Sequence, residues 1–211
     1  MAVEKLDYKR EYKDLYLPKE KPVLVNIPSM NFIMVDGKGE PKDQEYQEGI
    51  KILYSLTFTI KMSGKQKKGY FEYVVPPLEG LWWCDGGKLD WNKPKSQWLW
   101  TSMIRQPEFV TQEIFEWALE ECKRKKPSID VSKARFETFT EGLCVQAMHI
   151  GAYDDENRTI DKISEFIIDN QLRDITDDIH KHHEIYISDP RRTKVEKLKT
   201  VLRFPVEKYV K

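Results

Sequence analysis

The residues best suited to chemistry lie in one short segment, HEIYIS at 183–188. Side chains alternate along an extended strand, so Glu184, Tyr186 and Ser188 share one face while His183, Ile185 and Ile187 take the other. With the isoleucine face packed against helices, Glu184 and Tyr186 look into a cleft. Lost solvation there favours the neutral carboxyl and makes Glu184 a candidate base or hydrogen-bond acceptor. A second segment, YFEYVV at 70–75, places Tyr70 and Glu72 together in the same way. One glutamate per segment could divide acid and base work, although a solvated strand glutamate salt-bridged to a lysine fits the same letters.

Other clusters point to less. His180, His182 and His183 stand beside Asp177, Asp178 and Glu184, but a His180–His183 chelate has no third ligand at a matching turn, so no metal is expected. Cys144 and His149 lack an evident partner arrangement, and Cys144 reads as a buried structural thiol. Gly37-Lys38-Gly39 lacks a third glycine, and Gly86-Gly87 precedes no Lys-Ser or Lys-Thr, so no nucleotide cofactor is expected.

The aromatic residues make up 12% of the chain, and four of its six tryptophans, Trp82, Trp83, Trp91 and Trp98, fall within residues 82–98, with Trp100 just beyond. Such a concentration suits a cage for a planar ligand as well as it suits core filling. Trp82 and Trp83 are adjacent, so on a regular strand they point to opposite faces.

These groups need a scaffold. Residues 1–20, lysine-rich with Tyr8, Tyr12 and Tyr16 at helical spacing, read as an arm draped on the body. A strand at 22–35, interrupted at Pro28, leads through Asp36-Gly37-Lys38-Gly39 into a helix at 42–63, which Gly64 and the lysines 65, 67 and 68 close. Strands follow at 70–75 and 97–105, with LEGLWW opening a tryptophan-rich excursion between them. A helix covers Ile114 to Cys122, and strands at 134–140 and 143–150 join at the tight-turn signal Glu141-Gly142. A third helix at 157–171, with Asp154 and Asp155 as capping candidates, precedes strands at 183–188 and 200–206.

Three echoes recur in the same order. NFIMVDG (31–37) matches VQAMHIG (145–151), FEYVV (71–75) matches HEIYI (183–187), and SMIRQP matches TVLRFP, with Arg105 and Arg203 each two residues before proline. They predict an α+β fold of tandem strand-helix-strand-strand repeats, forming a curved antiparallel-rich sheet with helices on one face and a ligand cleft on the other. The expected organisation is an arm at 1–20 and one domain at 21–211, with repeat one at about 21–107, a crossover at about 108–132 and repeat two at about 133–211.

Thirty-five basic residues balance thirty-five acidic ones, which argues against direct nucleic-acid binding. No apolar run approaches a membrane span, the first residues are charged, and three cysteines without CxxC spacing suit a reducing compartment. A cytoplasmic protein with no membrane partner is expected; oligomeric state is not legible.

VPPLEGLWW (75–83), FTEGLCVQAMHIGAYDDE (139–156) and HEIYISDPRRTKVEKLKTVLRFPV (183–206) resemble the GyrI-like small-molecule-binding proteins, in their stand-alone subfamily. The resemblance implies a two-copy fold that binds hydrophobic, amphipathic or cationic aromatic compounds, xenobiotics among them, against a buried glutamate, here Glu184. Some stand-alone members are cyclopropanoid cyclopropyl hydrolases, which open the strained ring of DNA-alkylating compounds. By that likeness Glu184 activates water, Tyr186 orients it or donates to the substrate, and Trp82, Trp83 and Tyr70 sandwich the planar system. Trp100, from the tryptophan cluster, and Glu72, from strand alternation, are further expected contacts. Two alternatives stand beside this one: a module that inhibits or sequesters a protein such as a DNA topoisomerase, and ligand sensing in transcription control, for which a twenty-residue arm is expected to be too short to supply a DNA-binding domain.

Overall fold

The computed structural model describes residues 5–64, 67–177 and 179–209; Lys65 and Asp178, named above, lie outside the described residues. Nine strands, β1 (Val23–Ile27), β2 (Met30–Lys38), β3 (Leu78–Trp83), β4 (Leu99–Arg105), β5 (Arg135–Phe139), β6 (Gly142–Ile150), β7 (Leu172–Asp174), β8 (His182–Tyr186) and β9 (Lys199–Lys208), form an antiparallel sheet. Its order is β1-β6-β9-β8-β3-β4-β2-β5, with β7 attached to β9. The three long helices are α3 (Gln44–Lys61), α4 (Gln112–Lys125) and α5 (Asn157–Asp169), and two single-turn helices, α1 (Tyr8–Glu11) and α2 (Lys13–Tyr16), occupy the arm. None of the described helices is long and apolar enough to cross a membrane.

The α+β class and the two strand-helix-strand-strand runs are present. The run β2-α3-β3-β4 and the run β6-α5-β8-β9 meet at the centre, where β3 pairs with β8 from Leu78↔Tyr186 to Trp82↔His182. The strand of the first run is therefore LEGLWW and not YFEYVV. Residues 70–75 are irregular apart from one bridge between Tyr73 and Leu6. Their aromatic residues serve packing instead, with Tyr70, Phe71 and Tyr73 all in edge contact with Phe109.

Glu141-Gly142 also departs from expectation. β5 pairs with β2, whereas β6 pairs with β1 and β9, so the two strands diverge and form no hairpin. Gly142 takes φ 75°, a conformation that favours glycine. The Glu141 side chain beside it turns inward, to His183 Nδ1 at 3.0 Å and Arg203 Nη1 at 2.9 Å.

That turn completes a buried ion cluster on one sheet face. His183 Nε2 lies 3.0 Å from Glu79 Oε2, Tyr16 donates to Glu79 Oε1 at 3.3 Å, and Arg203 donates to Gln146 Oε1 and, at 3.0 Å, to the Leu15 carbonyl. The arm thus covers the face that bears Ile185, and its Tyr8 and Tyr12 rings lie against the Arg105 guanidinium. The longer helices lie on the opposite face, the one that bears Glu184. Tyr46 of α3 packs on Trp82 and Trp100, and Ile163 and Ile167 of α5 share a cluster with Ala147 and Leu202. The expected assignment of α3 and α5 to the isoleucine side is reversed, because that side is where the charged cluster and the arm bury one another.

Burial acts to raise the Glu141 carboxyl, but the His183 and Arg203 charges outweigh it and hold the group down at about 2. Burial acts to lower the His183 imidazole, and Glu141 above all overcomes it, so His183 is raised from 6.5. The depressed Glu141 contributes stability above its unfolded value of 4.5 and loses it as pH falls toward 2, whereas the raised His183 contributes fully below 6.5 and loses it as pH rises through its folded value. Glu141→Gln should cost about 3–5 kcal/mol in urea unfolding at pH 7, since it leaves the buried Arg203 guanidinium and the His183 imidazole short of a counter-charge. It should also flatten the decline in stability between pH 4.5 and 2. An unchanged urea midpoint would show that the cluster does not hold the sheet.

Candidate functional site

Register places the chemistry. Along β8 the front face carries His182, Glu184 and Tyr186, opposite Trp82, Gly80 and Leu78 of β3. Trp82 Nε1 donates to the Tyr186 hydroxyl at 3.0 Å, and Tyr186 donates to Glu184 Oε2 at 2.7 Å. His182 Nε2 stands 3.3 Å from Glu184 Oε1, close but without hydrogen-bond geometry. Gly80, opposite Glu184, leaves room for the Trp82–Tyr186 hydrogen bond. A Cβ there would lie 2.9 Å from Trp82 Nε1 and 3.2 Å from the Tyr186 hydroxyl.

The walls are aromatic. Tyr46 stacks on Trp82 at 5.6 Å between centroids and meets Trp100 edge-on at 5.0 Å. Trp100 reaches α3 only because Gly37 and Gly49 leave room for its indole. From the other side Tyr153, in the turn before α5, meets Tyr186 edge-on at 6.0 Å. The loop between β3 and β4 adds Trp98 beside Trp82 and Trp91 beside both Trp98 and His182, and Lys88–Asp174 and Lys95–Asp154 pairs tie that loop to the second run. Such ring pairs contribute about 0.5–1.5 kcal/mol each beyond their burial, so the aromatic cluster between α3 and the start of α5 is firmly packed.

Of the residues singled out from sequence, Glu184, Tyr186, Trp82 and Trp100 come together here. Three do not. Trp83 points to the opposite face, with Lys181 Nζ 4.6 Å from its ring. Tyr70 and Glu72 sit near the C-terminal end of α3, where the Tyr70 hydroxyl donates to the Lys61 carbonyl and to Glu72 Oε1. His182, Tyr46, Tyr153 and Glu156 were not singled out as site residues. His182 precedes the segment at 183–188 and figures in the sequence only as part of the histidine cluster, and Glu156, next to the capping candidates Asp154 and Asp155, carries nothing in the letters that marks it as buried.

Glu184 is 6% exposed and Glu156 is 4% exposed. Burial raises the Glu156 carboxyl well above 4.5, and the Glu184 charge adds to the effect. Burial likewise raises Tyr186, with Glu184 adding again, and pushes Tyr153 up to about 12. A buried acceptor carboxylate, a second carboxyl biased toward its neutral form and several ring faces can hold a flat molecule and move a proton. Two open surface depressions of about 540 and 590 Å³ lie elsewhere, against Glu20 and Ile150 near the arm. They lack buried carboxylates, so the aromatic cluster around Glu184 is the stronger candidate.

A model of the GyrI-like small molecule binding domain matches residues 20–207. Three solved chains from Listeria innocua are similar along their full length. One, an uncharacterized conserved protein, is 49% identical over 96% of this chain with a TM-score of 0.92. Two described as hydrolases are 47% and 48% identical over 96% and 97% of this chain, with TM-scores of 0.88 and 0.89. No curated protein matches the chain.

Gly80→Ala should part Trp82 from Tyr186, lower stability by about 1–3 kcal/mol as an overpacked site does, and change the tryptophan emission of the folded protein. Emission identical to the native protein would mean that the hydrogen bond does not depend on the glycine.

Proposed function

Because the chain belongs to the GyrI-like small-molecule-binding family, we propose that it takes hydrophobic aromatic compounds into the crevice between α3 and α5 and hydrolyses strained, electrophilic ones, cyclopropanoid alkylating agents being the class that fits best. The observation that carries this reading is the convergence of Tyr186 and His182 on one buried carboxylate, Glu184, among the rings of Trp82, Trp100, Tyr46 and Tyr153. The likeness to two hydrolases nearly half identical supports the catalytic part. Three free, buried cysteines suit a reducing cytoplasm, where such compounds would otherwise reach DNA.

In the proposed reaction Glu184 takes a proton from water, whose oxygen attacks the cyclopropyl methylene. A carbon–oxygen bond forms and the strained carbon–carbon bond breaks. Its electron pair moves through the conjugated ring to the carbonyl oxygen, which takes up a proton and becomes a phenol. Tyr186 orients Glu184 through its 2.7 Å hydrogen bond, and Trp82 fixes the Tyr186 hydroxyl. A positioned base gives about 10² to 10⁴ in rate, enough for a substrate whose strain already lowers the barrier. Trp83, Tyr70 and Glu72 have no part in this version of the site.

A spirocyclopropyl cyclohexadienone fused to an indole is a direct probe. It should quench tryptophan emission, and the native protein should convert it to the hydrated phenol, read by mass. Glu184→Gln should still quench but react at least about 10²-fold more slowly. Equal turnover by the two proteins would remove Glu184 from the mechanism, binding without turnover in either would leave sequestration alone, and no quenching at all would sink the crevice as a ligand site.

A further inference from the structure

Glu156 is a buried carboxyl near this cluster that the reaction above leaves unused. It begins α5, yet its side chain makes no capping hydrogen bond to the helix. Its Oε1 is buried and has no hydrogen-bond partner among the described residues. A buried carboxyl oxygen without a partner is costly, and a helix start offers amide donors that it could have used cheaply. Its neighbours explain what it can do instead.

Glu184 and Tyr186 of β8 and Tyr153 and Asp154 of its own turn couple to it electrostatically, and the Tyr153 ring meets Tyr186 at 6.0 Å. From the loop before β4 comes Lys95, whose ammonium is engaged by Asp154 at 2.9 Å and by the Trp98 ring. The acceptor role in this group is taken, because Glu184 already receives the Tyr186 hydroxyl. Two buried, electrostatically coupled carboxyls do not ionise together cheaply, and Glu156, whose buried Oε1 receives no donor among the described residues, is the member suited to keep a proton.

We propose that Glu156 presents its carboxyl proton to an acceptor oxygen of the bound molecule, so that the site selects flat aromatic compounds that carry a carbonyl. This rests on the ligand crevice proposed above and names the chemistry that it selects. In hydrolysis the same proton is the one delivered to the carbonyl oxygen as the ring opens, and the proton that Glu184 gained from water is passed back to Glu156 after product leaves.

Fluorenone and fluorene, one planar frame with and without the carbonyl, separate this role from plain aromatic stacking. Titrated by tryptophan quenching at pH 6, the native protein should prefer fluorenone by roughly three- to tenfold, the worth of one hydrogen bond. The preference should shrink as pH rises and Glu156 loses its proton. Glu156→Gln keeps an N–H donor that does not titrate, so its preference should persist without pH dependence, while Glu156→Leu should bind both probes alike. A preference that survives in Glu156→Leu, or a pH profile in Glu156→Gln that still follows the native one, overturns the role of Glu156 while leaving the crevice intact. Failure of the native protein to bind either probe overturns the crevice and this inference with it.

Discussion

Arg203 and His183 are almost wholly buried, and a charge taken out of water without a partner costs several kcal/mol. Glu141 and Glu79 meet that cost only if β3, β6, β8 and β9 keep one register. A slip of one residue along β8 would send His183 to the front and Glu184 to the back, stranding Arg203 and Glu141 together without the imidazole. The ion cluster on the arm side therefore decides that Glu184 faces α3 and α5, and the site inherits its geometry from charges on the opposite face of the sheet.

The arm has a structural part in this. Its Tyr16 hydroxyl, the Leu15 carbonyl and the Asp14 carbonyl supply Glu79, Arg203 and Gln146 with partners that the sheet alone does not provide. In return the cluster holds two single-turn helices too short to persist unaided. The two runs are related in order but unequal in content. The second supplies His182, Glu184, Tyr186 and Glu156, and the first supplies Trp82, Trp100 and Tyr46. Gly80 is the reason that they can meet, since it lies opposite Glu184 and leaves space where any side chain would press on the Trp82–Tyr186 contact.

Periodicity revealed the helices almost to their ends, with 42–63 expected and Gln44–Lys61 found, because an apolar stripe at 3.6-residue spacing is imposed by the sheet beneath it. Alternation likewise put Glu184 and Tyr186 on one face. It failed for the first run, where β-branched and aromatic letters in YFEYVV outscored Leu-Glu-Gly-Leu-Trp-Trp as a strand, although the central position next to β8 belongs to the latter. Strand propensity measures fit to a half-buried surface, and Gly80 is present for its missing side chain, which no propensity rewards. The same misreading paired Glu72 with Glu184. The inward turn of Glu141 was hidden for a different reason: Glu-Gly is a turn signal, and only the distant Arg203 and His183 make it a buried acid.

The second carboxyl of the crevice thus comes from α5 and not from a symmetry-related strand, and this asymmetry has a chemical consequence. Two glutamates at equivalent strand positions would see similar surroundings and would compete for one proton on equal terms. Glu184 and Glu156 do not. One receives a tyrosine hydroxyl inside the sheet, and the other has a buried oxygen without a partner at a helix start, beside a lysine already engaged elsewhere. Burial and the Glu184 charge raise the Glu156 carboxyl, and in the proposed reaction that suits it to the acid role. Under the proposed mechanism a duplicated fold acquires a directional site by letting its halves diverge in what surrounds each acid, while the ion cluster on the far face keeps the strands from following.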